Sequence, residues 1–387
     1  MINTGYQSLA GTATVAGPFA VTAGTPYDVG VGQTQTVTVS FMLPSTGAFT
    51  NAVVFVSNGG SSTNTVIGVG VTSAQISVSQ ASLNFGTVAT GSSSQSTFVV
   101  TNIGGTAATG GTATVNGGPS TIVSGSTFTL TAGASTNVVV QFAPLAAGGF
   151  TNSVIAATTN GGTSTNTVTG TGAVVPVASF TASPASGTEP LAVTFTDTST
   201  GTAPLGLLWN LGDSTTTNTA GGAVFAHNYA AGTYTVTLTA SNIVGSSTLV
   251  SNNLINVASV FQGWQLQYLG CTIRPQAQPG ADPYGKGISN TNQFLLGLNP
   301  TNPASVFEVI NAVPQGSDLL ITWATAGGIT NVVQSTAGLP GGSYATNFLD
   351  VSPLIVIQGS GDTRTNYLDA GAMTNSSSLF FRVRLQQ

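Results

Sequence analysis

Only 4% of the 387 residues are charged, although 41% are hydrophobic, whereas charged residues make up ~25% of a typical soluble domain. The formal net charge is −5 and the pI is near 4.3, which gives no electrostatic basis for binding nucleic acid or an anionic membrane surface. No apolar run is long enough for a membrane-spanning helix. We therefore expect no nucleic acid partner and no membrane insertion.

The second half of residues 76–173 repeats residues 1–71. Asn160 to Val168 repeats Asn58 to Val66 with one substitution, and Phe150-Thr151-Asn152 repeats Phe49-Thr50-Asn51. A repeat of this length indicates one fold written twice. Nothing in the first copy corresponds to residues 76–100, so we expect domain one to lack its opening strands.

Short β-branched segments separated by Gly, Pro, Ser and Asn predict strands throughout residues 1–72. Strands of this length with turns between them predict an all-β fold of tandem immunoglobulin-like β-sandwiches, with a short helical and loop segment before the last β-domain. The predicted domains are an incomplete one at 1–72, a complete copy at 73–174, a third sandwich at 175–258, a linker at 259–304 and a C-terminal β-sandwich at 305–387.

Two motifs mark the repeated domain. Leu83-Asn84-Phe85-Gly86-Thr87-Val88 precedes Asn102-Ile103-Gly104, and Phe142-Ala143-Pro144 follows; Phe41-Met42-Leu43-Pro44 fits the second motif with one inserted residue. This pattern resembles the ASH/Hydin-like ("choice-of-anchor D") class of immunoglobulin-like domains. The resemblance implies an interaction or spacer module without catalytic residues.

Residues 175–258 resemble a PKD domain through Trp209-Asn210-Leu211-Gly212-Asp213, His227-Asn228-Tyr229 and Gly232-Thr233-Tyr234. Leu211 and Ser214 depart from the family's usual Phe and Gly. Trp209 and Tyr234 are expected as aromatic anchors of the core, and Asp213 is expected to bind N–H groups of its loop. The resemblance gives His227 and Tyr229 structural positions. No Gly-x-Ser-x-Gly motif surrounds a nucleophile, so we do not expect His227 to be catalytic.

The linker carries two short helix signals, Gly263 to Leu269 and Asn290 to Leu296, the second preceded by Ser289. Between them, residues 281–290 and the following Gln293-Phe294 resemble a degenerate calcium loop of thrombospondin type 3 and dockerin-like repeats. Tyr284 and Lys286 replace two of its aspartates, which leaves Asp282 as a poor metal ligand, because calcium requires several carboxylates. We expect a metal-free loop in which Lys286 substitutes for the cation and pairs with Asp282.

The last domain resembles the closing β-domain of large secreted bacterial proteins. Six strands are predicted there: Phe307 to Ile310, Leu319 to Trp323, Asn331 to Gln334, Leu354 to Ile357, Thr365 to Leu368 and Phe380 to Leu385. In the final strand Arg382 and Arg384 share one face. Asp362 and Asp369 are their natural partners, but the favoured interpretation is a solvated pair of edge charges that guards the terminal strand.

No segment combines a nucleophile, a base and an orienting group, so we expect neither an enzyme nor a cofactor. The leading hypothesis is a subunit of an extracellular bacterial filament or surface assembly, a homopolymer in which a strand from another chain fills domain one. The expected donors are the C-terminal segment Leu379 to Gln387, which includes Phe380, Phe381, Val383 and Leu385, or the linker around residues 174–177.

Two alternatives stay open. In the first, the chain is the spacer or anchor region of a large secreted adhesin or polysaccharide-degrading enzyme, and Met1 is not a native start. In the second, it is a carbohydrate-binding module that uses Trp209, Trp264 and Trp323 to hold glycans. Export is expected in each case, with its signal outside this chain. The single cysteine, Cys271, is expected to be a buried, inert thiol.

Overall fold

The computed structural model describes residues 1–43, 45–339, 341–374 and 378–386. Strands dominate these residues, and the predicted all-β class is confirmed. They form two compact units, one of Met1–Val177 with Thr200–Gly206 and Ala240–Ser247, the other of Ala178–Ser199, Leu207–Thr239 and the chain from Thr248 onwards. Pro44, part of the second predicted motif of domain one, lies outside the described residues.

Domain one contains six strands in two sheets. The strands are β1 (Leu9–Thr14), β2 (Phe19–Ala23), β3 (Tyr27–Val29), β4 (Thr38–Phe41), β5 (Gly47–Ser57) and β6 (Gly60–Gly70). One sheet has the order β3-β1-β5-β6, and β2 pairs with β4 in the other. The β5–β6 hairpin closes where Ser57 pairs with Gly60, whose φ of 115° suits a residue without Cβ.

Domain two repeats these six strands and adds three before them. Its strands are β7 (Ile76–Val78), β8 (Ser82–Ala89), β9 (Ser94–Asn102), β10 (Ala108–Val115), β11 (Ser120–Ser124), β12 (Thr127–Leu130), β13 (Ser135–Phe142), β14 (Gly148–Ala157) and β15 (Thr163–Ala173). The sheet orders are β12-β10-β14-β15-β8 and β11-β13-β9-β7. The added strands contribute Ile76, Leu83, Phe98 and Val100 to one buried core.

The third domain has eight strands: β16 (Phe180–Ser183), β17 (Ser186–Thr188), β18 (Leu191–Asp197), β19 (Gly206–Asn210), β20 (Thr216–Ala220), β21 (Val224–Tyr229), β22 (Gly232–Asn242) and β23 (Gly245–Ala258). They form the sheets β16-β18-β21 and β17-β23-β22-β19-β20. Trp209 is fully buried and contacts Phe180 and Phe195 of the opposite sheet, as expected for an aromatic core anchor.

The linker contains both predicted helices, α1 (Val260–Leu269) and α2 (Asn290–Leu295), with a short 3-10 helix at Pro275–Ala277 between them. Ser259 and Gln262 form a capping box at α1, and Ser289 caps α2. Each serine side chain thus accepts from one otherwise free N–H group of the first helical turn.

The last domain contains β24 (Glu308–Gln315), β25 (Asp318–Ala326), β26 (Thr330–Ala337), β27 (Leu349–Asp350), β28 (Ile355–Val356), β29 (Asp362–Asp369) and β30 (Leu379–Gln386). β24, β25 and β29 form one sheet, and β26 pairs with β27, β28 and β30 in the other. Ile321, Trp323 and Val333 lie in the core. All six predicted strands are present, and only the two-residue β27 was not predicted.

Candidate functional site

Asn3 in domain one occupies the same environment as Asn102 in domain two. The Asn3 Nδ2 donates to the carbonyl of Val29 at 2.8 Å, and the Asn102 Nδ2 donates to the carbonyl of Leu130 at 3.1 Å. Each Oδ1 also accepts from the N–H two residues later at 3.0 Å. The two asparagines therefore align the copies residue by residue and show which contacts of domain two have no counterpart among the described residues of domain one.

The first missing contact lies along β4. In domain two, β9 pairs with the whole of β13, and Val138 and Val140 are fully buried. In domain one, only the first residues of the chain reach this line, where Ile2 forms an isolated bridge. The counterpart valines, Val37 and Val39, are only partly buried. Within the described residues, β4 thus has a free edge beside an incompletely covered core.

The second missing contact lies along β6. In domain two, β8 runs parallel to β15, with Leu83 buried against the core and Phe85 stacked on Phe142 at 5.5 Å. Val168 of β15 is 1% exposed, whereas its counterpart Val66 is only partly buried. In the part of the chain that the structure describes, β6 pairs only with β5. Its other edge is open.

A cavity of about 550 Å³ lies at one end of these open edges, and its lining includes Tyr27, Phe55 and Gly59. In domain two, the counterpart of Gly59 is Gly161, whose carbonyl accepts from the N–H of Ile76 at 3.0 Å. Ile76 belongs to the segment of domain two that has no counterpart within residues 1–72. The cavity therefore lies where the complete copy has its first strand.

The outer face of β6 is apolar where the outer face of β15 is polar, although neither face contributes to a core. Ile67 and Val69 point outward and are 69% and 64% exposed. The corresponding residues of β15 are Thr169 and Thr171. Exposed apolar side chains beside an open strand edge are typical of a surface that binds another strand.

The Asp213 carboxylate links a loop to a strand of the third domain. Its Oδ1 accepts from the N–H of Thr215 at 3.0 Å, as predicted, and its Oδ2 lies 2.6 Å from the Nε2 of His227 on β21. Burial raises the pKa of Asp213, but the hydrogen bonds from His227 and Thr215 outweigh it and hold the pKa below its ordinary value. His227, on β21, is thus held by the carboxylate of a loop residue.

The tyrosines of this domain also make structural contacts. Tyr229 is buried, and its hydroxyl donates to the carbonyl of Leu211 at 2.9 Å. Its ring packs against Tyr234 at 4.7 Å and edge-on to His227 at 4.7 Å. Tyr234 is only half-buried, so it borders the core that Trp209 fills. No residue with the role of a nucleophile adjoins His227 among these described contacts.

The ammonium group of Lys286 is enclosed by backbone carbonyls. Its Nζ donates to the carbonyl oxygens of Asn299 at 2.8 Å, Asn302 at 2.6 Å and Ser305 at 2.8 Å. Burial holds the pKa of Lys286 below its ordinary value, and the carboxylates of Asp362 and Asp282 offset part of this effect. The side chain therefore joins the loop after α1 to the segment that leads into the last domain.

Asp282 does not pair with the Lys286 ammonium, contrary to the expectation. Its carboxylate accepts from the backbone N–H groups of Lys286 at 2.9 Å and Gly287 at 2.6 Å, so it shapes the loop. Asp362 at the start of β29 accepts from the side chains of Asn302 and Ser305. The loop and the last sheet are connected through these groups.

The predicted partners of the two terminal arginines are wrong. Arg384 pairs with Asp350 at 3.2 Å, and Arg382 donates to Gln334 at 2.8 Å. The sequence could not indicate Asp350, because it lies on the short strand β27, which was not predicted.

The predicted donor segment β30 is paired within its own domain. It is hydrogen-bonded to β26 from Leu379 to Gln386, and Phe381 and Val383 pack against the core. Gln387, the last residue of the predicted donor, lies outside the described residues. Donation of β30 to another chain would therefore open the last domain.

The tryptophans are poorly placed for glycan binding. Trp209 and Trp323 are fully buried, and Trp264 is partly buried and stacked on Phe261 at 5.8 Å. Cys271 is also partly buried. Across the described ranges, no three His, Cys, Asp or Glu side chains cluster as metal ligands would, and no helix is long and apolar enough to span a membrane.

Two family models match the chain. Residues 74–173 match the HYDIN/CFA65/VesB-like Ig-like domain, and residues 173–257 match the PKD domain. The predicted resemblance to both families is confirmed. Domains of these two families are non-catalytic.

Solved structures also resemble the chain, whereas no curated protein matches it. An I-band fragment of titin has 12% identity and a TM-score of 0.39, covering 66% of this chain and 100% of the fragment. The ASH/PapD-like domain of human CEP192 has 17% identity and a TM-score of 0.22, covering 26% and 86%. The Vibrio cholerae VesB protease has 19% identity and a TM-score of 0.21, covering 25% of this chain and 32% of the protease.

Proposed function

We propose that this chain is a structural subunit of an extracellular assembly in which domain one is completed by a β-strand from another copy. The observation that carries the proposal is the pair of open edges on β4 and β6. In domain two the corresponding edges are covered by β9 and β8. A strand added to such an edge binds through its backbone, and its alternate side chains enter the core.

The energetic gain comes from burial as well as from backbone hydrogen bonds. In domain two, Leu83 and Phe98 fill positions that domain one leaves empty. Burying one side chain of this size contributes about 1.5–3 kcal/mol. A contact between two different surfaces of the same chain gives an open polymer wherever its rotation does not close a ring, and strand addition of this kind is the basis of the proposed polymer.

The low charge supports the same function. No charged residue occurs between Asp28 and Glu189, which removes the repulsion that normally keeps domains apart. The Ig-like and PKD domains are typical of extracellular proteins, and an uncharged Thr, Ser and Asn surface suits subunits packed against one another.

The proposal is tested with a synthetic peptide that copies residues 76–99. The labelled peptide is titrated into the full chain and followed by fluorescence anisotropy. We expect saturable binding, and at least tenfold weaker binding for the matched peptide with Leu83→Asp and Phe85→Asp. In a second chain, the sequence of residues 76–99 is fused ahead of Met1. This self-complemented chain should not bind the peptide.

Assembly is measured on the same two proteins. Light scattering and negative-stain microscopy should show concentration-dependent polymers for the original chain and monomers for the self-complemented chain, with circular dichroism confirming that both are folded. A chain that stays monomeric at high concentration and does not bind the peptide would contradict the proposed function.

A spacer region in a larger secreted protein is the second candidate. It is favoured by the tight joint before the PKD domain, where the Asn242 Nδ2 donates to the carbonyls of Val174 at 2.9 Å and Thr202 at 3.0 Å. On this hypothesis, the self-complemented chain and the original chain should both be monomeric.

A further inference from the structure

We infer that the strand which binds the open edge of β6 is β24 of a second copy. This inference rests on the proposed function and specifies the partner. It replaces the predicted donor β30, whose residues Phe381 and Val383 already pack in the core of the last domain.

β24 is the exposed strand of the last domain. All eight residues of Glu308–Gln315 are exposed, and within the described residues β24 pairs with β25 on one side only. Edge strands normally carry charges or are very short, because an open edge pairs readily with other chains. β24 is long for an edge strand and has a single charge, Glu308, at its start.

Each face of β24 carries an apolar side chain, and Asn311 and Gln315 share the face of Val313. Val309 pairs with Trp323 and Ala312 pairs with Ile321, so these two lie on the core face. Val313 pairs with Leu320 on the other face. Val309 and Val313 are 42% and 45% exposed, which shows that the domain's own core leaves this strand uncovered.

The two edges match in chemistry. The strand that completes β15 places Asn84 beside Thr169 and Thr87 beside Thr171 on the outer face. The positions of Thr169 and Thr171 are occupied in domain one by Ile67 and Val69. A partner strand with apolar outer residues therefore fits β6 better than a copy of β8 does. β24 supplies Val313 on one face and Val309 and Ala312 on the other.

Charge does not oppose the contact. β6 has no charged residue from Gly60 to Gly70, and β24 has none from Val309 to Gln315. Pro314 has no N–H and limits the pairing length to the preceding residues. By contrast, β30 would place Arg382 and Arg384 beside the apolar outer face of β6.

Cysteine cross-linking tests the assignment, since Cys271 is the only cysteine. In a Cys271→Ala chain, Ile67→Cys is combined in turn with Val309→Cys, Ile310→Cys or Val313→Cys. Mild oxidation should give a ladder of disulfide-linked oligomers for at least one pair, and at most dimers for each single cysteine variant. The matched control combines Ile67→Cys with Phe380→Cys on β30 and should give no ladder.

The outcomes separate this inference from the proposed function. If the peptide of residues 76–99 binds and the chain polymerises, but no β24 pair gives a ladder, the inference is overturned and strand addition stands. A ladder from the β30 pair, or a disulfide within one chain, also overturns it. If the peptide does not bind and no polymer forms, the proposed function itself fails.

Discussion

The ammonium nitrogen of Lys286 lies 2.6 Å from the carbonyl oxygen of Asn302. Two further carbonyls, those of Asn299 and Ser305, complete the group at 2.8 Å each. Oxygen atoms that converge in this way are the usual ligands of a hard metal ion, and here a side chain of the protein supplies the positive charge. The lysine therefore supplies the positive charge that these three carbonyls bind.

We predict that Lys286→Met destabilises the linker and the last domain. The substitution keeps most of the side chain but removes the charged donor shared by three carbonyls, although those of Asn299 and Asn302 also accept from backbone N–H groups. A hydrogen bond to a charged group contributes about 1.5–3 kcal/mol. We expect the free energy of unfolding to fall by about 2–4 kcal/mol. Water that enters the loop replaces part of the lost hydrogen bonding and limits the effect. Urea denaturation followed by tryptophan fluorescence measures the change, since Trp323 lies in the core of the last domain.

The matched control is Arg274→Met, which removes one exposed cation of the same linker and should change stability by less than ~0.5 kcal/mol. Calcium or a chelator should leave the original chain unchanged. A Lys286→Met chain as stable as the original would show that the three hydrogen bonds contribute nothing to the joint.

The Asp213–His227 pair predicts a pH dependence of the third domain. The pKa of Asp213 is lowered below its ordinary 3.8. A carboxylate whose pKa is lower in the folded state stabilises fully above the unfolded pKa, and this contribution is lost as the pH falls through the folded value. Stability should therefore decrease below about pH 4.

Asp213→Asn should remove that contribution. We expect a loss of about 1 kcal/mol at pH 7 and a smaller difference between the two proteins at pH 2.5. Thermal unfolding at a series of pH values measures both. Ser214→Gly, beside the same loop, is the control, because Ser214 has a positive φ of 75° that glycine adopts without strain. Parallel pH profiles for Asp213→Asn and the original chain would contradict the prediction.

The sequence was sufficient to predict the repeated fold, but not to predict that β24 of the last domain is an exposed edge strand. Copies of Asn3 and Asn102 and of the turn at Gly60 mark equivalent positions, so the correspondence between β1–β6 and β10–β15 could be predicted. The apolar residues near Val309 predicted a strand, but periodicity does not reveal whether a strand is central or at an edge. The exposure of β24 follows from its place in the sheet.

The cage around Lys286 was only half predictable for a related reason. The resemblance to a calcium loop indicated that the lysine replaces a cation. Its ligands, however, are main-chain carbonyls between Asn299 and Ser305, and every residue type has a carbonyl. No side-chain pattern could identify them, and Asp282 was predicted instead because it is the nearest acidic residue in the loop.

The outer face of β6 gives the sharpest prediction for assembly. Ile67→Thr with Val69→Thr restores the residues found at the corresponding positions of domain two, Thr169 and Thr171. Both side chains are largely exposed, so the folding stability should change by less than ~0.5 kcal/mol. Each replaced residue removes apolar area from the proposed contact, and a loss of about 1 kcal/mol per side chain weakens association roughly tenfold or more for the pair. Light scattering should therefore show a higher critical concentration, while thermal unfolding is unchanged.

The matched control, Thr12→Val on β1, adds an apolar group on a strand away from the open edge and should not affect assembly. Equal assembly by the double variant and the original chain would show that the outer face of β6 is not part of the contact.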